Sequence, residues 1–253
     1  MKIVVAIKQV PARDSLLKVD KSGTWIEDAD LSWEINEPDA YALEAGLQLR
    51  ESAGGEVVVL CAGPDRATQT IREALAKGAD RAIHIEMSHG ASDPLALART
   101  MAKALETEKP DVVLTGLQSD DLGYGQTGVV LAEVMGYPHA TLVMSVETVS
   151  GGIRVKRELE DGWFQHVEMP LPALLTIQSG AAKLRYATLM GIKKAKSKEI
   201  RRVEAETASA APSVRLERIY LPQKTKRSQI FEGTPQETAR QLVEKLRFEA
   251  RVI

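Results

Sequence analysis

Short β-branched and aliphatic runs alternate with amphipathic stretches through the first half of the chain, the pattern of a parallel sheet covered by helices. Residues 2–7, 56–61, 81–86 and 112–115 are so continuously rich in Val, Ile and Leu that each predicts a strand buried on both faces. Helical periodicity fills the intervals. In residues 66–77 the apolar positions Ala67, Ile71, Ala74 and Leu75 fall on one face, and Gly78 stops the helix. In residues 95–106 the stripe is Ala98, Met101, Ala102 and Leu105, entered through Asp93-Pro94, a side-chain cap followed by proline. A further helix is expected over residues 40–51, with Asn36 as its simplest cap.

From residue 140 the pattern changes. Residues 140–149, 153–159, 163–169 and 173–177 read as successive strands, with Gly151-Gly152 and Asp161-Gly162 as turns, so an antiparallel section is expected beside the parallel sheet. Residues 204–213 (EAETASAAPS) are small and polar, the composition of a linker. The last helix starts at Thr234-Pro235-Gln236-Glu237, a capping box, and carries an apolar stripe at Ala239, Leu242, Val243 and Leu246. That stripe can fold back on its own domain or dock on a partner. The organisation expected is an α/β domain over residues 1–203, a linker and basic loop over 204–233, and a C-terminal helical arm over 234–253.

Composition narrows the class. With 253 residues, 44% hydrophobic and 27% charged, the chain fits one large or two small globular domains. Its longest apolar runs, such as residues 57–61, fall far short of the roughly 20 residues of a bilayer-spanning helix, so no membrane insertion is expected. The residues after Met1 resemble no secretory leader, and Cys61 is the single cysteine; both lead to the expectation of a cytoplasmic protein. The net charge of -2 argues against nucleic-acid binding but is unevenly distributed. Residues 183–227 hold 13 Lys+Arg and 4 Asp+Glu, or +9, which leaves -11 for the rest. This is either a solvated face or a docking surface.

Candidate chemistry centres on loops. Gly123-Tyr124-Gly125-Gln126-Thr127-Gly128 formally matches G-x-G-x-x-G, with Glu147 19 residues beyond. A dinucleotide fingerprint must turn directly from the first strand into its helix, whereas here residues 116–122 follow a fourth strand. The physics better fits a loop, residues 116–126, whose N–H groups cradle a phosphate at a helix beginning near Thr127. Asp120 and Asp121 then accept from ribose hydroxyls or merely cap a turn. The strand ends at Ile7, Cys61 and Thr115 should line one crevice, where the small residues Ala6, Ala62-Gly63 and Gly116 let the backbone approach a flat base. The position of Asn36 also suits a loop over the nucleotide. No catalytic centre is indicated. His84, His89, His139 and His166 have no metal-ligand spacing, and Cys61 lies within an apolar strand.

Several segments together resemble the electron transfer flavoprotein β subunits. They are Val5-Ala6-Ile7-Lys8, Asn36 with Ala42-x-Glu44-x-Gly46, Gly78-Ala79-Asp80-Arg81, Gly116-x-Gln118-x-Asp120-Asp121, and Gln126-Thr127-Gly128. The resemblance continues through Val155-Lys156-Arg157-Glu158, Leu171-Pro172-Ala173, Arg185-Tyr186-Ala187-Thr188-Leu189 and Lys194-Ala195-Lys196. It departs at Asp161-Gly162, where the family usually has Gly-Gly, and at Ala182 and Leu184, where Asn and Pro are usual.

The resemblance implies a Rossmann-like fold of the adenine nucleotide α-hydrolase type, with a mostly parallel sheet, an antiparallel section and an arm. It also implies a heterodimer with an α subunit that holds most of the FAD, while this chain holds a structural AMP. The AMP contacts it implies are Ala6; Asn36, Glu37, Pro38 and Asp39; Ala62; and the loop Gly116, Leu117, Gln118, Ser119, Asp120, Asp121, Leu122, Gly123, Tyr124, Gly125, Gln126 and Thr127. Arg185, Tyr186 and Leu189 would form a recognition loop for dehydrogenases such as those acting on acyl-CoA or amines, with a quinone oxidoreductase or similar acceptor downstream. The basic tract begins at that loop, which favours docking over a solvated face. Two alternatives remain open: a bifurcating relative with a second FAD in place of AMP and NADH as donor, and a monomeric nucleotide-dependent enzyme or nucleotide sensor.

Overall fold

The computed structural model describes residues 1–88, 93–205, 213–222 and 228–253. His89, most of the expected linker, and Lys224, Lys226 and Arg227 of the basic tract lie outside the described residues. Two compact units are present, Met1–Arg218 and Ile219–Ile253.

In the first unit the chain forms β1 (Lys2–Ile7), β2 (Gln9–Pro11), β3 (Trp33–Ile35), α1 (Glu37–Ala53), β4 (Glu56–Gly63), α2 (Ala67–Lys77) and β5 (Arg81–Glu86). It continues through α3 (Pro94–Leu105), β6 (Val112–Gly116), α4 (Thr127–Met135), β7 (His139–Val149), β8 (Gly152–Glu158) and β9 (Phe164–Pro170). The unit ends with β10 (Ala173–Ile177), α5 (Leu189–Ala195) and β11 (Ile200–Glu204). One nine-stranded sheet runs in the order β11-β5-β4-β1-β6-β10-β7-β8-β9. It is parallel from β11 to β7 and antiparallel from β7 to β9, as the two sequence styles predict. β10 is the exception. It returns to the parallel part between β6 and β7 instead of extending the antiparallel series.

Alternate residues of β1 explain its uninterrupted apolar run. Ile3, Val5 and Ile7 face one core with Leu43 and Leu47 of α1 and Ile71 and Leu75 of α2, while Val4 and Ala6 face another with Met101 of α3 and Leu131 of α4. Burying one such aliphatic side chain stabilises the fold by about 1.5–3 kcal/mol. Both faces are therefore sealed by helices. Strand order reverses at β1, because β4 and β5 lie on one side of it and β6 on the other. A crevice at the carboxyl ends of β1 and β6 follows from that reversal.

Four elements escape the sequence pattern. β2 and β3 are three-residue strands of a separate antiparallel pair. β11 is an edge strand whose Arg201 bonds Glu108 and Ala104 O, and whose Arg202 bonds Asp65, Glu86 and Thr68. α5 has only seven residues.

In the second unit, α6 (Pro235–Glu244) has the expected capping box, with Thr234 Oγ1 accepting from Glu237 N and Glu237 Oε2 accepting from Thr234 N at 2.8 Å. A π-helical turn, Lys245–Ala250, extends it, and α6 has no buried residue. No helix among the described residues is long and apolar enough to cross a membrane.

Candidate nucleotide site

The floor of the crevice is built where β1 and β6 end, and Asp39 joins them. Its carboxylate accepts from Lys8 N at 2.7 Å and from Gly116 N at 2.9 Å, so one side chain in the first turn of α1 ties down both strand ends. Asp39 is buried. Burial pushes its carboxyl up to about 7, against the opposing pull of the Lys8 and Gly116 N–H donors.

The wall is the loop of residues 117–126, and Asn36 holds it. Asn36 stands at the N-cap of α1, but its side chain makes no capping bond. The cap expected from sequence is therefore corrected: Nδ2 donates to Gln118 O at 2.9 Å, and Oδ1 accepts from Asp120 N at 2.8 Å. Capping passes to Asp120, whose Oδ2 accepts from Glu37 N at 3.2 Å, the first N–H of α1. Asp121 accepts from Lys8 Nζ at 2.6 Å and from Leu122 N at 2.7 Å. Both aspartates are thus engaged by the protein, which favours loop support over ribose binding. Asn36→Asp keeps the acceptor for Asp120 N but sets a carboxylate oxygen against Gln118 O. An expected loss of about 1–3 kcal/mol follows, measurable by urea denaturation, and unchanged stability would contradict the clamp.

Of the positions singled out by sequence before the loop, Ala6, Ala62 and Gly116 at strand ends and Asn36 and Asp39 at the start of α1 line the crevice. From the loop, Leu117, Gln118, Ser119 and Leu122 line it, as do Tyr124, Gly125, Gln126 and Thr127. Glu37, Pro38, Asp120, Asp121 and Gly123 do not; Glu37 and Asp120 instead pair with Arg13 behind the wall. Of the three expected strand ends, Ile7 and Thr115 line the crevice and Cys61 does not; sequence reasoning missed Lys8 and Gly128, and an entire wall formed by Pro94, Leu97 and Met101 of α3. The last three recur at helical spacing beside the core stripe, which was the available signal.

Opposite that wall α4 begins at Thr127, and its N-cap Gln126 makes no side-chain capping bond. The first N–H groups of α4 have no intrahelical acceptors, and Thr127 and Gly128 face the crevice. A β-carbon on Gly128 would lie 2.6 Å from both Thr115 Oγ1 and Thr176 Cγ2, so glycine lets the helix start close to the sheet. The site combines small strand-end residues, apolar side walls and a free helix N-terminus. This chemistry suits a purine between Leu97, Met101 and Leu122 and a phosphate at α4. The buried Cys61 thiol is pushed up to about 12, first by burial and then by Asp39, so it is no nucleophile.

The proposed recognition segment lies elsewhere on the unit. Leu189 is 88% exposed and Tyr186 91%, with Met190 and Ile192 exposed beside them, so Leu189 is not a core residue. Arg185 turns inward onto Glu44 and Glu51. The basic tract is likewise divided. Arg185, Arg201 and Arg202 meet carboxylates, and Lys198 Nζ donates to Leu75 O and Ala79 O, because internal acceptors face them. Lys183, Lys193, Lys194 and Lys196 are exposed and remain as the outward charge near Leu189.

A mostly parallel α/β protein with a crevice at its strand ends is the class that this fold and site define. An electron transfer flavoprotein domain matches residues 24–208. Electron transfer flavoprotein subunit beta of Methylophilus methylotrophus is 37% identical over 258 aligned positions, covering 96% of this chain and 97% of the relative. The β subunit of Bradyrhizobium diazoefficiens is 34% identical, and the mitochondrial β subunit of Oryza sativa subsp. japonica 35%, each with full coverage of both chains. The chain belongs to the electron transfer flavoprotein β subunit family.

Proposed function

We propose that this chain is the β subunit of a cytoplasmic heterodimer that accepts electrons from dehydrogenases through FAD and passes them to a downstream acceptor. FAD, held mostly by the α subunit, supplies the redox chemistry; this chain supplies a nucleotide support and a docking surface, with no turnover of its own. Acyl-CoA or amine dehydrogenases are the donor class, and a quinone oxidoreductase or similar protein the acceptor class. The carrying observation is the crevice between β1 and β6, closed by the Asn36 clamp and facing the N-terminus of α4. AMP fits this arrangement as a structural ligand. Its base would lie against Ala6, Ala62, Leu97 and Met101, and its phosphate at Thr127 and Gly128. Residues 1–203 form the nucleotide-binding domain in this reading, residues 204–233 the linker and basic loop, and residues 234–253 the arm that docks on the α subunit.

Denaturing the purified heterodimer and identifying the released ligands tests this assignment. One AMP and one FAD per dimer are expected. Two FAD and no AMP would move the chain to the bifurcating type, and a stable, ligand-free monomer would overturn the reading. Exposure of Leu189 among lysines gives a second expectation, since apolar insertion supplies affinity while charge steers encounter. Leu189→Ala should keep folding and FAD content yet lower the second-order rate of reduction by the dehydrogenase about tenfold or more. Unchanged rates would remove Leu189 from the docking surface.

A further inference from the structure

Two segments singled out separately along the chain, Ala42-x-Glu44-x-Gly46 and Arg185-Tyr186-Ala187-Thr188-Leu189, meet in space. Arg185 Nε donates to Glu44 Oε2 at 2.8 Å and its NH2 to Glu44 Oε1 at 3.0 Å, a two-pronged contact, while Arg185 N reaches Glu44 Oε2 at 3.3 Å. The other edge of the guanidinium meets Glu51, with NH1 to Oε1 at 2.7 Å and NH2 to Oε2 at 3.3 Å. Glu44 is buried and also accepts from Gln48 Nε2 at 2.8 Å, so its position is set by α1 before Arg185 arrives. Burial raises the Glu44 carboxyl, but the Arg185 and Gln48 hydrogen bonds outweigh it and hold the group below the ordinary carboxylate range.

Beyond Arg185 the chain turns immediately to the outside. Tyr186 and Leu189 are nearly fully exposed, and Met190 and Ile192 continue the apolar patch. Leu189 opens α5, whose cap Thr188 accepts from Gly191 N at 3.0 Å. A second fastening lies on the inner side of α5. A β-carbon on Gly191 would overlap the Ala76 carbonyl oxygen of α2, and Arg72 NH1 donates at 2.6 Å to Ala195 O and Lys198 O at the far end. The apolar patch is exposed but mounted on α1 and α2, so it need not be ordered when a partner arrives.

We propose that Arg185, seated on Glu44 and Glu51, is the positioning residue that holds the Leu189 patch in its docking geometry and does not itself touch the dehydrogenase. This rests on the docking reading above. An apolar knob without a fixed base loses affinity through the entropy of ordering it, while the electron-transfer step within the formed complex is unaffected. The two-pronged geometry requires arginine; lysine offers a single point charge.

The test uses the FAD-loaded heterodimer carrying Arg185→Gln and Leu189→Ala, singly and together, with a dehydrogenase that reduces the wild type. Arg185→Gln is expected to raise KM for that dehydrogenase about tenfold with kcat changed less than about twofold. It should also speed amide exchange across residues 186–192 about tenfold, with Leu43 and Leu47 of α1 unchanged. In the Leu189→Ala background it should add nothing to KM, because it acts through that residue. Glu51→Gln, on the exposed side of the same clasp, threatens no core contact and should raise KM about two- to threefold, so the test survives if Arg185→Gln fails to assemble. Unchanged KM and exchange in Arg185→Gln, or in Glu51→Gln where only that variant assembles, overturns the proposal. So do effects of Arg185→Gln and Leu189→Ala that multiply. Leu189→Ala alone tests the docking reading: a normal KM there sinks both, whereas a raised KM beside a normal Arg185→Gln sinks the positioning role only.

Discussion

Replacing Gly116 by alanine is expected to destabilise the chain by about 3 kcal/mol and to empty the proposed nucleotide site, since overpacking usually costs about 1–3 kcal/mol and a site that cannot yield lies at the upper end. Gly116 closes β6 where α1 begins, and a β-carbon there would overlap Asp39 Oδ1 and lie 2.7 Å from the carbonyl carbon and the β-carbon of Pro38. Neither neighbour is free to move. Asp39 is held by the Lys8 and Gly116 N–H groups, and Pro38 is in the first turn of α1, so relief requires shifting the helix. Moving α1 also moves Asn36 and the loop it clamps at Gln118 and Asp120. Stability and ligand retention should therefore fall together. Urea denaturation of the heterodimer at fixed protein concentration, with nucleotide quantified in the purified protein, decides it. A Gly116→Ala heterodimer with wild-type midpoint and full nucleotide content would show that this end of β6 is looser than its contacts imply.

The same contacts explain which parts of the site were legible in the sequence. β1, β5 and β10 emerge with the bounds that their apolar runs predict, because a strand sealed on both faces is almost continuously apolar, with His84 of β5 and Thr176 of β10 as the buried polar exceptions. β11 does not, because its two arginines find carboxylates beyond the strand, at Glu108 and at Asp65 and Glu86, and so imitate a solvated charge run. Strand ends and loop glycines were readable through small side chains at Ala6, Ala62 and Gly116, which a local pattern can carry. The α3 wall was hidden because Met101 served at once in the core stripe and beside Pro94 and Leu97 in the crevice. Asn36 was legible as a residue at the crevice, but its role as a clamp was hidden more deeply. Its local context is that of a helix cap, whereas its partners Gln118 and Asp120 lie 82 and 84 residues away. Arg185 was obscured in the same way, since the carboxylates that turn it from an exposed contact into a fastening lie on α1.

Asp39 carries the second large expectation, a stability that falls as pH rises. Its unfolded-state value is the ordinary 3.8, and burial lifts the folded value to about 7. Below 3.8 the carboxyl is protonated in both states and the site contributes no penalty. Between the two values the unfolded chain releases the proton while the native chain keeps it, so stability declines with pH and levels off above about 7. The decline is of order 2–4 kcal/mol. Asp39→Asn abolishes this titration. Its amide nitrogen must face Lys8 N or Gly116 N, a clash of donors that costs about 1–3 kcal/mol at every pH. Urea denaturation of both proteins across this range should therefore show wild-type stability decreasing relative to Asp39→Asn between the two values and running parallel above them. A difference that grows in favour of the wild type as pH rises would mean that the two backbone donors and the α1 N-terminus outweigh burial. Asp39 would then be an ionised anchor for the strand ends.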